Sequence, residues 1–426
     1  MRPRRTATVR RALGISTVAF LLTVSCAVPA VIAQEIQEGA HWVGTWAAAA
    51  VARPQPQPTD ESPRGLNDQT LRQVVHTSIG GDHVRVVLSN VFGTAPLEIG
   101  AAHIALRASE AGIVPTLGAP LTFSGNRGIR IPAGAVVVTD PVSLLVPPLV
   151  DLAIDLYLPG GSSTAPSRLT LHGGARQTSY VSRSGDHTGA TNLPVLTTTE
   201  SWLFLARVEV TPRQPTGAIV AIGDSITDGY SSTPNLNSRW PDYLARRLMA
   251  RPDGSEMGVL NAGIDGNRIL SGGMGVSALA RFDRDVLAQT GATHVVVLLG
   301  INDLGLTRED PRPSSADLIT GHRQLIARAR ARGLKVIGAT LLPFEGATFG
   351  EYWTAEGEAT RQAFNEWMRT SGEHDGVIDF DAILRDPAHP TTLLPQYDSG
   401  DHLHPSDIGY MAMAAMIDLS LFDLEP

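Results

Sequence analysis

The sequence predicts an α/β protein: a parallel five-stranded sheet flanked by helices, preceded by an all-β sandwich or jelly roll. Three observations carry this. From His41 to about Pro212, short apolar or alternating runs are separated by Gly, Pro and Asn turn signals, with no long helical period. After Gly217, five short apolar runs alternate with helix-period segments, as in a parallel sheet with crossover helices. A hydrophobic share of 43% with 18% charged residues is globular, and 426 residues suffice for a large core and two domains. The division expected is 1–33 signal peptide, 34–213 β-sandwich-like accessory domain and 214–426 α/β domain.

The first 33 residues read as an export signal. Arg2, Arg4, Arg5, Arg10 and Arg11 precede an apolar stretch from Ala12 to Val24, and Val31-Ile32-Ala33 suits cleavage after Ala33. An uncleaved anchor and a lipoprotein signal at Cys26 are the alternatives. Cys26 is the only cysteine, so the chain beyond it has no disulfide and no cysteine nucleophile. The net charge of −8 and the lack of a basic patch argue against nucleic acid. A secreted protein, with no stable membrane insertion after signal cleavage, is expected.

In the β-rich half, Gln73–Ser78, His83–Leu88, Val136–Thr139 and Asp151–Leu158 read as strands. Arg53 to Pro63 reads as a loop. Trp42 and Trp46 read as packing residues, with sugar stacking as the alternative. His172, Arg176 and His187 read as surface loop residues, with reach into an active site as the alternative.

In the second half, Ala218–Ile222 leads to a helix around Trp240–Met249, and Val259–Asn261 to one at Leu279–Gln289. His294–Leu299 leads to Ser314–Arg332, Val336–Thr340 to Ala355–Met368, and Val377–Phe380 to Ser406–Leu421. Pro405 reads as the first residue of the last helix, where its missing N–H costs nothing.

Four segments fall at strand ends or in the last long loop: Gly223-Asp224-Ser225-Ile226-Thr227-Asp228-Gly229, Asn261–Asn267, Gly300-Ile301-Asn302-Asp303 and Asp401-His402-Leu403-His404-Pro405. Ligands of open α/β sheets bind at the carboxyl ends of strands. A serine becomes nucleophilic beside a histidine base, the histidine needs a carboxylate to fix its tautomer, and a tetrahedral oxyanion needs preset donors. A glycine N–H and an asparagine amide are such donors. Asp224 and Asp303 read as loop organisers. Asp401, His402 and His404 lack an established metal-ligand spacing, so no metal is expected and His402 reads as a loop residue. The Gly-x-Ser-x-Gly elbow is absent, which argues against an α/β-hydrolase.

Together the four segments, from about residue 215 onward, resemble the SGNH (GDSL-like) hydrolase family of esterases and lipases, a three-layer flavodoxin-like fold. The resemblance implies Ser225 as nucleophile, His404 as base and Asp401 as its acid partner. It also implies an oxyanion hole formed by the Ser225 N–H, Gly266 and Asn302. Two glycines, Gly263 and Gly266, compete in the second block, and the family pattern favours the later one. The β-rich half resembles the accessory sandwich of some secreted bacterial members. The expectation is a serine carboxylic-ester hydrolase that needs no cofactor and takes a small-molecule or polysaccharide ester, removing small O-acyl groups from carbohydrate. The alternatives are a lipase- or phospholipase-type esterase and a non-catalytic carbohydrate-binding protein.

Overall fold

The computed structural model describes Met1 and residues 40–53, 66–159, 169–307 and 312–424. The export segment, Cys26 and most of the Arg53–Pro63 loop lie outside them. Residues Ala40–Pro426 form one compact unit.

Up to Val210 the described chain is antiparallel. One sheet orders Val43–Ala47, Leu205–Val210, Gly81–Ser89 and Val142–Val146, with Val136–Val138 also on Gly81–Ser89. A second orders Val195–Thr199, Ser179–Ser184, Gln69–His76, Asp151–Leu158, Ala101–Ser109 and Gly112–Leu121. A three-stranded sheet joins Ser201–Leu203, Leu169–Gly173 and Val51–Arg53. Strand Asp151–Leu158 has the bounds expected. Trp46 is buried and meets the Trp202 ring edge-on at 4.9 Å, and Arg85 lies over Trp42, so both tryptophans serve packing.

The parallel sheet orders Met257–Gly263, Gly217–Gly223, Ala292–Leu298, Lys335–Ala339 and Gly376–Ile378. Gly217–Gly223 pairs in parallel with a neighbour on each edge, and all seven of its residues are buried, which explains its unbroken apolar run. Strand order reverses beside it, so the cleft expected of such a sheet opens where Ser225 begins. Two groups of helices cover the sheet: Trp240–Met249 with Asp407–Ala415, and Ser315–Arg330 with Ala355–Thr370. Trp240 is fully buried against Phe380, and Pro241 stands in the helix's first turn. Among the described residues no helix is long and apolar enough to cross a membrane.

Three readings need correction. The Leu279–Gln289 helix is a short α-helix, Ala278–Phe282, continued by a π turn at Asp283–Leu287. The final helix starts at Asp407 with Ser406 as its cap, so Pro405 stands outside it and bridges to Asp398. The cap's side-chain acceptor outweighs proline's preference for the first turn. His172 is no surface residue: it is 4% exposed, in strand Leu169–Gly173.

The antiparallel half and the parallel sheet share hydrogen bonds. Gly44 N–H donates to Thr290 O (2.9 Å), Val259 N–H to Ser78 Oγ (3.0 Å) and Thr290 Oγ1 to Glu209 Oε1 (2.7 Å). A Cβ on Gly258 would stand 2.3 Å from the Gly44 carbonyl oxygen. Gly258→Ala is therefore expected to push the two backbones apart and cost about 1–3 kcal/mol, read as a lower denaturation midpoint; an unchanged midpoint would show that this contact has slack.

Candidate active site

Ser225 opens a single helical turn, Ser225–Asp228, directly after the strand Gly217–Gly223. Asp224 caps the turn, accepting from the Ile226 N–H at 3.0 Å, and Gly229 closes it at φ 100°. The turn lies close to its neighbours. A Cβ on Gly223 would stand 2.0 Å from Thr227 Oγ1, and one on Gly263 2.3 Å from the Asp228 nitrogen.

The last loop brings the other two groups. Ser225 Oγ–H donates to His404 Nε2 at 2.8 Å, and His404 Nδ1–H donates to Asp401 Oδ2 at 2.7 Å. The other Asp401 oxygen accepts from the N–H groups of Leu403 (3.0 Å) and His404 (2.8 Å). Burial alone would push this carboxyl up. The His404 side chain and these amides outweigh it and hold Asp401 down at about 2. Asp401 thus stays ionised at neutral pH. Ser225 and His404 are 6% and 3% exposed, so the chain of hydrogen bonds is shielded from competing water.

Ser225, Gly266, Asn302 and His404 line one cavity of about 280 Å³, with Tyr230, Asp265, Met274, Leu306, Phe349, Tyr352 and Leu403. Gly263 is not among the lining residues, and its N–H donates to Asn261 Oδ1 at 2.9 Å. Gly266, at φ 65°, is therefore the glycine of that loop that shares the cavity with Ser225. Asn302 follows the central strand in the short helix Ile301–Gly305. Its Oδ1 accepts from the Tyr352 hydroxyl at 2.8 Å, while its buried Nδ2 has no partner among the described residues. Burial holds the Tyr352 phenol well above its usual range, so its O–H is always present to donate. The amide is thereby oriented with its donor end free, which is what a developing oxyanion requires.

Asp303 accepts from Ile269 N–H (2.8 Å) and Leu270 N–H (3.0 Å), and Asp224 from Ile226, so both organise loops. His402 donates from Nδ1 to Asp398, turned toward a partner other than Asp401 or His404. Arg176 lies 4.9 Å from the centre of the Tyr230 ring, whereas the His187 ring stays in its own loop, on Ser184 O.

The sequence alone did not indicate the aromatic surround. Tyr230 stacks on His404 at 4.3 Å and Phe349 meets the same ring edge-on at 5.6 Å, so the imidazole is clasped on two sides. Tyr352 and Phe349 sit in an aperiodic loop, where nothing local marks them. The one available hint was an aromatic residue, Tyr230, directly after the Gly229 cap.

Residues 221–412 match the model of the GDSL-like lipase/acylhydrolase family. Solved structures that this chain resembles include a protein described as lipolytic, of the G-D-S-L family, from Desulfitobacterium hafniense (26% identity, 46% of this chain and 95% of that one, TM-score 0.36). Others are Axe2, an acetylxylan esterase from Geobacillus stearothermophilus (22%, 49% and 95%, 0.37), and the M. smegmatis aryl esterase (15%, 47% and 95%, 0.39). Among curated proteins no relative matches at a significant level. The segment carrying the four loops is thus the one that matches the GDSL-like lipase/acylhydrolase family.

Burial raises Asp224 from 3.8 to about 7, and its Oδ2 has no partner among the described residues. The folded state therefore keeps a proton that the unfolded chain loses above its ordinary value, so this contribution is full at acid pH and is lost as pH rises toward about 7. Asp224→Asn keeps the cap acceptor and removes the titration. Its melting temperature relative to wild type is expected to improve between about pH 4 and about pH 8; a difference that stays constant across this range would contradict the assignment.

Proposed function

We propose that residues 221–412, a GDSL-like lipase/acylhydrolase domain, make this protein a serine carboxylic-ester hydrolase that removes small O-acyl groups from carbohydrate. The observation that carries the reading is the unbroken chain Ser225 Oγ–His404 Nε2, His404 Nδ1–Asp401 Oδ2, beside a buried, unpartnered Asn302 amide.

In this scheme His404 Nε2 takes the Ser225 proton as Oγ attacks the ester carbonyl. Asp401 holds the ring and stabilises the imidazolium, without taking the proton. The N–H groups of Ser225 and Gly266 and the Asn302 amide receive the oxyanion. The bond to the alcohol then breaks, and the alcohol leaves with the proton from His404. Water, deprotonated by the same nitrogen, attacks the acyl-serine; the acyl–Oγ bond breaks, His404 returns the proton to Oγ and the acid is released. No step calls for a cofactor.

Substrate size follows from the cavity. About 280 Å³ lies at the lower end of ligand sites, so it suits a short acyl group with the alcohol part outside. The reading extends to residues 1–33 as an export signal cleaved after Ala33, which would place the enzyme where polysaccharide esters are met. One observation favours a lipase-type reading instead: Met274 and Phe349, both on the cavity, are 61% and 39% exposed, an apolar rim that could meet acyl chains.

Hydrolysis of p-nitrophenyl acetate, butyrate and a long-chain ester decides. Rates are expected to fall with chain length; a preference for the long chain would support the lipase-type reading instead. Ser225→Ala is expected to lose at least about 10⁴-fold in kcat, as in other serine triads. Asn302→Ala should lose about 10²–10³-fold, and Tyr352→Phe, which frees the amide without removing it, about 3–10-fold. Equal rates for wild type and Ser225→Ala would remove the mechanism.

A further inference from the structure

His172 belongs to the antiparallel half, yet its ring touches the turn that carries Ser225. Its Nε2 lies 2.9 Å from Asp228 Oδ1 and its Nδ1 lies 2.8 Å from the Ala49 carbonyl oxygen. A carbonyl only accepts, so Nδ1 carries a hydrogen. A carboxylate at Asp228 also accepts, so for both bonds to be made at once Nε2 carries one too and the ring is an imidazolium. Both side chains are about 95% buried, and the Trp202 ring lies 5.5 Å from the imidazole. Ala49 and Trp202 thus hold the His172 ring, and the ring in turn holds one carboxylate of the hydrolase domain.

Asp228 is the last residue of the turn that Ser225 opens. The Asp228 N–H donates to Asp224 O, and the N–H groups of Gly229 and Tyr230 both donate to Ser225 O, at 2.8 and 2.9 Å. Tyr230 in turn stacks on His404. A shift of Asp228 therefore moves the serine carbonyl, its neighbouring N–H and the ring that backs the base. On the other side Asn261 Nδ2–H donates to Thr227 O at 2.7 Å. The turn is pinned by its own domain at Thr227 and by the antiparallel half at Asp228.

We propose that His172 is a positioning residue for Ser225: from the antiparallel half it clamps Asp228, so that the reactive turn is completed by both halves of the chain. The proposal rests on the ester-hydrolase reading and adds that the antiparallel half is part of the catalytic unit.

Protonation of His172 lets it hold Asp228 and the Ala49 carbonyl at once, which ties the turn to the antiparallel half. Burial pushes the imidazole toward its neutral form, but the Asp228 charge and hydrogen bond, the Ala49 carbonyl and the Asp265 charge outweigh burial and hold it above its ordinary value. A cavity of about 30 Å³ adjoins the pair, and its other titratable and charged lining residues are His76, Arg239 and Asp242. As pH rises through the raised value, His172 becomes neutral, one of its two hydrogen bonds is lost, and the turn loosens.

The test is kcat and KM against pH for wild type, His172→Gln, Asp228→Asn and the double variant on p-nitrophenyl acetate, corrected for spontaneous hydrolysis. The rate at which a fluorophosphonate labels Ser225 is read alongside. Each single variant is expected to lose at least about tenfold in kcat and labelling rate with KM within about threefold, as misplacement of a reacting group produces. The double variant should be no worse than the worse single, because both remove one contact. Wild type should lose kcat on the alkaline side, and this fall should be absent from the variants.

Variants within about twofold of wild type, or variants that keep the alkaline fall, would overturn the clamp. If a variant fails to fold, the wild-type profile decides: flat kcat from neutral to alkaline pH overturns the proposal. Activity that needs Ser225 but ignores His172 removes the clamp alone. A wild type that neither turns over esters nor labels removes the hydrolase reading and the clamp with it.

Discussion

Ser225 Oγ and His404 Nε2 stand 2.8 Å apart although 179 residues separate them in sequence, and this distance is what the architecture must hold. A serine hydroxyl without a base in reach is a weak nucleophile. The parallel sheet solves the problem by strand order. Gly217–Gly223 is flanked by the two strands whose following loops supply Gly266 and Asn302, so three of the four loops emerge side by side. The fourth, which carries Asp401 and His404, is set by the Ser406 cap of the last described α-helix and by the Asp398–Pro405 bridge.

Electrostatics divide labour among carboxylates of similar sequence context. Asp401 has an imidazole and two backbone N–H groups on its oxygens and stays ionised. Asp224 and Asp303 are more deeply buried with fewer donors, and burial raises them to about 7 and about 6. The carboxylate that touches the His404 imidazole is thus held lowest of the three, while burial favours the protonated forms of Asp224 and Asp303.

Much of this was legible in the sequence, for identifiable reasons. The Gly217–Gly223 strand is buried on both faces, so its apolar run stands out; Asp151–Leu158 was readable to the residue, and a helix was expected around the observed Trp240–Met249. Glycines at 223, 229 and 266 marked the loops because close contacts or positive φ required them. The residues that fell outside sequence reasoning act through long-range packing. Tyr352 orients Asn302 from 50 residues away, and Tyr230 and Phe349 clasp His404 from separate loops. His172 looked like a loop residue because its partner, Asp228, comes 56 positions later, and no local pattern records such a pair.

The central claim is that Ser225 Oγ forms a covalent bond with the acyl group. The direct measurement is intact-protein mass spectrometry of enzyme quenched in acid during turnover of p-nitrophenyl acetate, followed by peptide mapping. A transient gain of one acetyl mass is expected, located on the peptide containing Ser225 and accumulating further when deacylation is slowed. Turnover with no acyl adduct under such slowing, or an adduct on another residue, would contradict it.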